Sequence, residues 1–343
     1  MTRMSFAWEA IPEDDGRAAA AWPREASKQL ARMQARVAAV LLGKEETVRM
    51  AMTALLAGGH ILLEDVPGVG KTVLAQALAR VIGGTYNRIQ FTPDLMPGDV
   101  TGSSIWDARR GDFVFREGPI MANLVLADEL NRAAPRTQSA LLEAMEERSL
   151  TVDGETRRLP EPFTLIATQN PAVEDGTYPL PAAQLDRFMV RLSVGYPVAE
   201  DEIRMLAEGS GHKRTETLRP FLLLEEWAAM QREAQQVHAH PALVAYMVEI
   251  VRMTRSAAGL RLGASPRATR DWLRAAQASA YIEGRGYLIP DDVKGTAASV
   301  LTHRLRLQPE AAHRGERAAD ILGGILSRVT LPIQAGSTGR GRA

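Results

Sequence analysis

The spacing of apolar positions changes twice along this chain. From Ala26 to Leu41 apolar side chains recur at helical intervals. Gly43 interrupts them, and Glu45 to Ala57 resumes the helical period. Short apolar runs of strand length follow: His60 to Leu63, Tyr86 to Phe91, Leu124 to Ala127, Phe163 to Thr168 and Met189 to Val194. Helical stretches such as Thr72 to Ile82 and Arg136 to Glu146 separate several of them. Strands interleaved with helices predict a parallel sheet covered on both faces.

Beyond Ala199 the strand signal fades. Helical periodicity takes over at Glu200 to Glu208, Glu225 to Val237, Pro241 to Ala257, Pro266 to Tyr281, Asp291 to Leu305 and Gly315 to Val329. The expected organisation is a loose leader at 1–23, an α/β core at 24–198, an all-helical domain at 199–333 and a small, polar, disordered tail at 334–343.

Composition narrows the class. Hydrophobic residues make up 45% of the chain and aromatics only 5%, so the cores are aliphatic. The 41 basic and 41 acidic side chains cancel, which speaks against attachment to nucleic acid through bulk charge. Cysteine is absent, which excludes a disulfide framework and thiolate metal sites. No apolar run approaches the roughly 20 residues of a membrane-spanning helix. Met1 to Ala10 lacks the apolar core of a secretory signal. A cytoplasmic protein is expected.

Candidate chemistry begins at Glu64-Asp65-Val66-Pro67-Gly68-Val69-Gly70-Lys71-Thr72, where a strand gives way to a helix. Gly68 and Gly70 let backbone N–H groups approach phosphate oxygens, and the helix N-terminus, with Val73 in its first turn, adds further donors. Lys71 is expected at the β- and γ-phosphates of ATP, and the Thr72 hydroxyl on Mg²⁺. Asp65 departs from the usual phosphate loop, which has glycine there. A second signal is Leu124-Val125-Leu126-Ala127-Asp128-Glu129, a buried strand ending in two acids. Asp128 is the candidate Mg²⁺ ligand and Glu129 the residue that polarises the attacking water. Asn170, at the end of a further strand, is a candidate to hydrogen-bond the water or the γ-phosphate. Arg187 in Leu185-Asp186-Arg187-Phe188 is a candidate for stabilising charge in a neighbouring subunit's site, the bland alternative being a surface arginine paired with Asp186. Ser265-Pro266-Arg267 reads as an N-cap and first turn, with Arg267 able to reach a nucleotide from the helical domain.

Taken together, these residues resemble the AAA+ ATPases and, more narrowly, the MoxR family. The likeness extends through Gln90-Phe91-Thr92-Pro93-Asp94-Leu95-Met96-Pro97-Gly98-Asp99-Val100-Thr101-Gly102, Asp128-Glu129-Leu130-Asn131-Arg132-Ala133 and Gln138-Ser139-Ala140-Leu141-Leu142-Glu143-Ala144-Met145-Glu146-Glu147. It continues in Ala167-Thr168-Gln169-Asn170-Pro171 and Thr177-Tyr178-Pro179-Leu180-Pro181. The family tolerates an acid at Asp65. The resemblance implies an AAA+ core with a helical lid, a hairpin at about 99–118 inserted into the second core helix, and another at 148–162 turning at Asp153-Gly154. It also implies a ring, usually a hexamer, in which Arg187 completes the neighbour's site. Arg132 becomes a second candidate for reaching phosphate, and Gly43, with Val40 to Leu42, the segment near adenine. Such ATPases look like chaperones that remodel or mature a client, often with a partner bearing a von Willebrand factor A domain; this sequence has no such domain. A nucleic-acid motor is disfavoured by the neutral charge and by the absence of the Gly-Ala-Phe-Thr-Gly-Ala loop of transcriptional activators. An ATP-binding assembly switch with little turnover is the remaining alternative.

Overall fold

The computed structural model describes residues 24–170, 176–208 and 215–330. The leader expected at 1–23 and the tail expected at 334–343 lie outside them, as does Pro171. Two helices, α1 (Arg24–Ala38) and α2 (Glu45–Leu56), precede the first strand. Five parallel strands form the central sheet: β1 (Ile61–Glu64), β2 (Tyr86–Gln90), β5 (Leu124–Asp128), β8 (Thr164–Gln169) and β9 (Val190–Leu192). Their order is β2-β5-β8-β1-β9. β1 therefore lies between β8 and β9, with Ile61 level with both Ile166 and Val190.

Period-two alternation sorts these strands between two cores. Ile61, Leu63, Leu124, Leu126 and Ile166 face one hydrophobic cluster, shared with α1, α2 and α3 (Lys71–Ile82). Leu62, Val125, Ala127, Leu165 and Ala167 face the other, shared with α5 (Pro135–Glu147). Parallel strands buried on both faces leave chemistry to their ends, and their C-terminal ends open on one common edge.

Both expected hairpins are present. β3 (Gly102–Asp107) pairs with β4 (Asp112–Glu117), and β6 (Ser149–Val152) with β7 (Glu155–Arg158). The second turns at Asp153-Gly154, both at positive φ. The first is not set within a long helix. Only the five-residue α4 (Pro97–Thr101) precedes it, and Gly118-Pro119 leads from it toward β5 without a helix. The reason is the crossing at its root. A Cβ on Gly102 would stand 2.4 Å from the Arg116 carbonyl oxygen, and one on Gly118 would stand 2.3 Å from that of Val100. Only glycine admits backbones this close.

After β9 the chain is mostly helical: α6 (Ala182–Leu185) precedes that strand, and α7 (Ala199–Glu208), α8 (Leu224–Ala234), α9 (Pro241–Ser256), α10 (Pro266–Ile282), α11 (Pro290–Leu301), α12 (Pro309–His313) and α13 (Ala318–Arg328) follow it. The lid is not wholly helical. Leu260–Leu262 (β10) pairs with Arg306–Leu307 (β11) as a short antiparallel ribbon. These segments are too short and too weakly alternating to announce themselves in the sequence. The lid helices share the hydrophobic cluster of α1 to α3. Ser27 Oγ donates to the Ile282 carbonyl at 2.7 Å, tying α1 to the end of α10.

Candidate functional site

The Val66 to Thr72 loop leaves the C-terminal end of β1 and enters α3. Gly68 and Gly70 have φ of 84° and 99°, a left-handed backbone that suits glycine. Among the described residues, the amides of Gly68, Gly70, Lys71 and Thr72 meet no hydrogen-bond acceptor. Such orphan donors at a helix N-terminus are the groups an anion satisfies. Lys71 Nζ donates to the Asp65 carbonyl at 2.5 Å. Burial pushes the Lys71 ammonium below its ordinary range, while Asp65, Asp128 and Glu129 pull it back up.

Asp65 explains itself in three dimensions. Its carboxylate accepts from the Gly195 amide at 2.6 Å, from Ser193 Oγ at 2.8 Å and from its neighbour Val66 N at 2.8 Å. Burial alone would raise its pKa, but these donors outweigh it and hold the carboxyl below the usual range. The residue thus ties the root of the phosphate loop to the strand exit that leads into α7. Leu41 packs against the same loop, and Gly43, two residues on, packs against α7. Leu41 Cδ1 lies 2.9 Å from where a Gly70 Cβ would stand, and a Gly43 Cβ would meet the Asp201 carboxylate of α7.

Asp128 and Glu129 stand at the end of β5, beside that of β8. Asp128 is 8% exposed. Thr168 Oγ1 donates to its Oδ1 at 2.6 Å, and Arg88 donates to its Oδ2 at 2.6 Å. Glu129 has φ 58° and ψ 46°, a conformation that costs a side-chain-bearing residue about 1–2 kcal/mol. Its amide is pinned by donating to Thr168 Oγ1 at 2.9 Å. One threonine thus braces both acids. Arg132 donates to Glu129 at 3.0 Å, so in this chain it faces the acid. Asn170 directly follows β8 nearby, its carbonyl accepting from Asn131 Nδ2 at 3.3 Å. The donor set of Thr72 and Asp128, a hydroxyl and a carboxylate beside a phosphate cradle, fits Mg²⁺, which prefers few protein oxygens plus phosphate and water.

Arg187 and Arg267 are elsewhere. Arg187 precedes β9, and the next residue but one, Met189, bonds the His60 carbonyl at the start of β1. The pair therefore sits at the N-terminal edge of the sheet. The four residues of β1 separate His60 from Asp65, five steps of extended chain or about 16 Å. Both arginines grip one carboxylate: Arg187 Nε lies 3.0 Å from Glu146 Oε2, and Arg267 donates to Oε1. They line a cavity of about 260 Å³ with Arg148, Arg270 and Arg274. Burial pushes the Arg267 guanidinium down, with Asp271 opposing and Arg270 and Arg304 assisting. Arg187 does not pair with Asp186. That acid instead accepts from Ser265 Oγ at 2.9 Å and lies 3.1 Å from Arg304 Nε. Ser265 also caps α10, accepting from the Ala268 amide at 3.1 Å. The cap forms as the sequence predicts, and the Asp186–Ser265 bond holds that helix start, with Arg267, at the edge of the sheet away from its own chain's phosphate loop.

Asp65, Arg88, Thr168 and Glu146 are the participants that sequence reasoning missed. Asp65 alone carried a signal, its departure from the usual loop.

A phosphate cradle and a paired-acid strand end on a parallel sheet, followed by a helical lid, define an AAA+ type nucleotide-binding protein. Comparison with known proteins agrees. Residues 60–190 match the ATPase family associated with various cellular activities (AAA), and residues 252–325 match the AAA lid domain. The chain is similar to the uncharacterized protein YeaC of Bacillus subtilis, 50% identical over 86% of this chain and 92% of that protein. It is also similar to chaperone MoxR1 of Mycobacterium tuberculosis, 41% identical over 85% of this chain and 80% of that protein. A crystal structure from Cytophaga hutchinsonii, of a protein assigned as an ATPase, superposes with a TM-score of 0.84 at 34% identity, over 90% of this chain and 96% of that one. The chain belongs to the MoxR family of AAA+ ATPases.

Proposed function

We propose that this protein hydrolyses ATP at sites shared between neighbouring subunits of a ring, and uses the cycle to remodel or mature a client. One observation carries the reading. The phosphate loop and acid pair open on one edge of the sheet, whereas Arg187 and Arg267 converge on the opposite edge. A second copy can bring its arginines to the first copy's loop; the same copy cannot without dismantling the sheet.

In this reading Gly68 to Thr72 cradle the phosphates through backbone N–H groups, and Lys71 neutralises them. Thr72 and Asp128 hold Mg²⁺, which when bound screens phosphate charge. Glu129, fixed by Thr168, orients the attacking water and takes its proton, with Asn170 at the neighbouring strand end assisting. The neighbour's Arg187 and Arg267 stabilise charge on the transferring phosphoryl group. Arg132 holds Glu129 in the free chain. Leu41 borders the loop, and Gly43 two residues on belongs to the segment where adenine would lie. The work divides between a core at 24–198 and a lid at 199–333. Asp65 links the loop to the chain leading into the lid. A hexameric ring and a partner with a von Willebrand factor A domain follow from the family resemblance, and a cytoplasmic setting from the composition. Among the described residues no helix is long and apolar enough to cross a membrane.

The test is phosphate release by purified variants, alone and mixed. Lys71→Ala and Arg187→Ala are each expected to be inactive, and their mixture to recover activity at interfaces combining an intact loop with an intact arginine. Glu129→Gln should bind ATP but lose about a hundredfold or more in turnover, and in ATP should retain client and partner for capture. A mixture as inactive as its components would refute the shared site.

A further inference from the structure

We infer that Glu146 is a built-in competitor for the neighbour's triphosphate, occupying Arg187 and Arg267 until ATP is presented to them. The inference rests on the shared-site reading and adds the residue that regulates it. Glu146 lies in the last turn of α5 and is itself partly exposed. Each of its two carboxylate oxygens takes one arginine, Oε2 from Arg187 at 3.0 Å and Oε1 from Arg267. Two guanidinium groups, one from the strand entrance and one from the lid, are thereby converged on a single anion. A terminal phosphate, which also offers several oxygens to converging donors, would need this same convergence.

The other charges around the cavity do not substitute for Glu146. Asp271, the second acid in its wall, is taken by the buried Arg304 at 2.6 Å. Arg148 is spent on the carbonyls of Gly58 and Phe163. Arg270 and Arg274 follow Arg267 at three- and seven-residue spacing, so one face of α10 presents all three to the cavity. One accessible carboxylate among these arginines leaves the cavity positive and favours exchange for an anion of higher charge. The exchange trades two charge-assisted hydrogen bonds for two others, so a single negative charge decides its balance. Glu146 thus does two things: it keeps the arginines converged in the free protomer, and it sets the threshold at which a neighbour's ATP claims them.

The experiment removes the charge and keeps the shape. Glu146→Gln should lower the protein concentration for half-maximal specific ATPase activity by about fivefold, the scale of one partly exposed ion pair. Glu146→Asp keeps the charge and should stay within about twofold of the unaltered protein. A second measurement isolates the cavity: with Lys71→Ala disabling the phosphate loop, added Glu146→Gln should tighten inorganic pyrophosphate binding in calorimetry by about fivefold, and Arg267→Ala should abolish it. Glu146→Ala serves the same two assays and should move them in the same direction as Gln. If charge removal shifts neither the assembly midpoint nor pyrophosphate binding, the competitor role is overturned. The two readings fail separately: normal complementation of Lys71→Ala by Arg187→Ala with an unmoved Glu146→Gln midpoint sinks only the competitor, whereas failed complementation sinks the shared site itself.

Discussion

Acid should weaken this fold through His60, at the entrance to β1 beneath the arginine cavity. The ring is buried, and both nitrogens are committed. Nδ1 accepts the Leu165 amide at 2.9 Å, and Nε2 faces the Met145 carbonyl at 3.1 Å. Because an amide can only donate and a carbonyl only accept, the ring must be the neutral Nε2–H tautomer. A proton added at Nδ1 would set two donors face to face and put a cation near Arg148 and Arg267. Burial first, then those arginines, push its pKa down to about 3, with the Met145 bond opposing. In the unfolded chain the group titrates near its ordinary 6.5. Below that pH the unfolded state takes a proton the folded state refuses, so stability falls from about pH 6.5 towards pH 3. At about 1.4 kcal/mol per pH unit, the loss between pH 7 and pH 5 is about 2 kcal/mol. His303, buried with its Nε2 at 3.0 Å from the Phe188 carbonyl and its pKa also lowered, adds a loss of the same sign. Urea unfolding followed by circular dichroism at the two pH values measures the sum. His60→Asn keeps an acceptor near the Leu165 amide and removes the titration. It should be less stable at pH 7, yet lose about 2 kcal/mol less than the unaltered protein on going to pH 5. Equal losses in the two proteins would refute the assignment of a neutral His60.

Asp65→Asn replaces a carboxylate that accepts three hydrogen bonds with an amide that partly donates; it should cost about 1–3 kcal/mol in urea unfolding and weaken nucleotide binding in a fluorescent-analogue titration. Unchanged nucleotide affinity would separate Asp65 from the loop's function. Thr168→Val removes the donor to Asp128 and the acceptor for Glu129 N, and should lower turnover by about tenfold or more while ATP is still bound. Gly102→Ala adds a Cβ against the Arg116 carbonyl at positive φ, and should cost about 1–3 kcal/mol, with hydrogen exchange rising first in β3 and β4. A melt unchanged by that substitution would mean the hairpin root is free to open.

Residues adjacent in the chain were legible from the sequence. Gly68, Gly70, Lys71 and Thr72 are one loop because a strand must end and a helix begin there. Asp128-Glu129 announces a strand end because a buried run of Leu and Val cannot continue into two acids. Parallel pairing then brings these strand ends to one edge, so the sequence alone implied that loop and acids meet. The tertiary structure decided what holds them. Thr168 braces both acids because β8 lies next to β5, and Arg88 reaches Asp128 because β2 lies on the other side. Asp65 finds Ser193 and Gly195 only because β9 flanks β1. Arg187 and Arg267, 80 positions apart in number order, share Glu146 because the Asp186–Ser265 bond draws the start of α10 to the sheet's entrance edge. Spacing along a chain determines which groups share one helix face or strand end. Strand order and the docking of the lid determine which distant charges become partners, and no local periodicity encodes those.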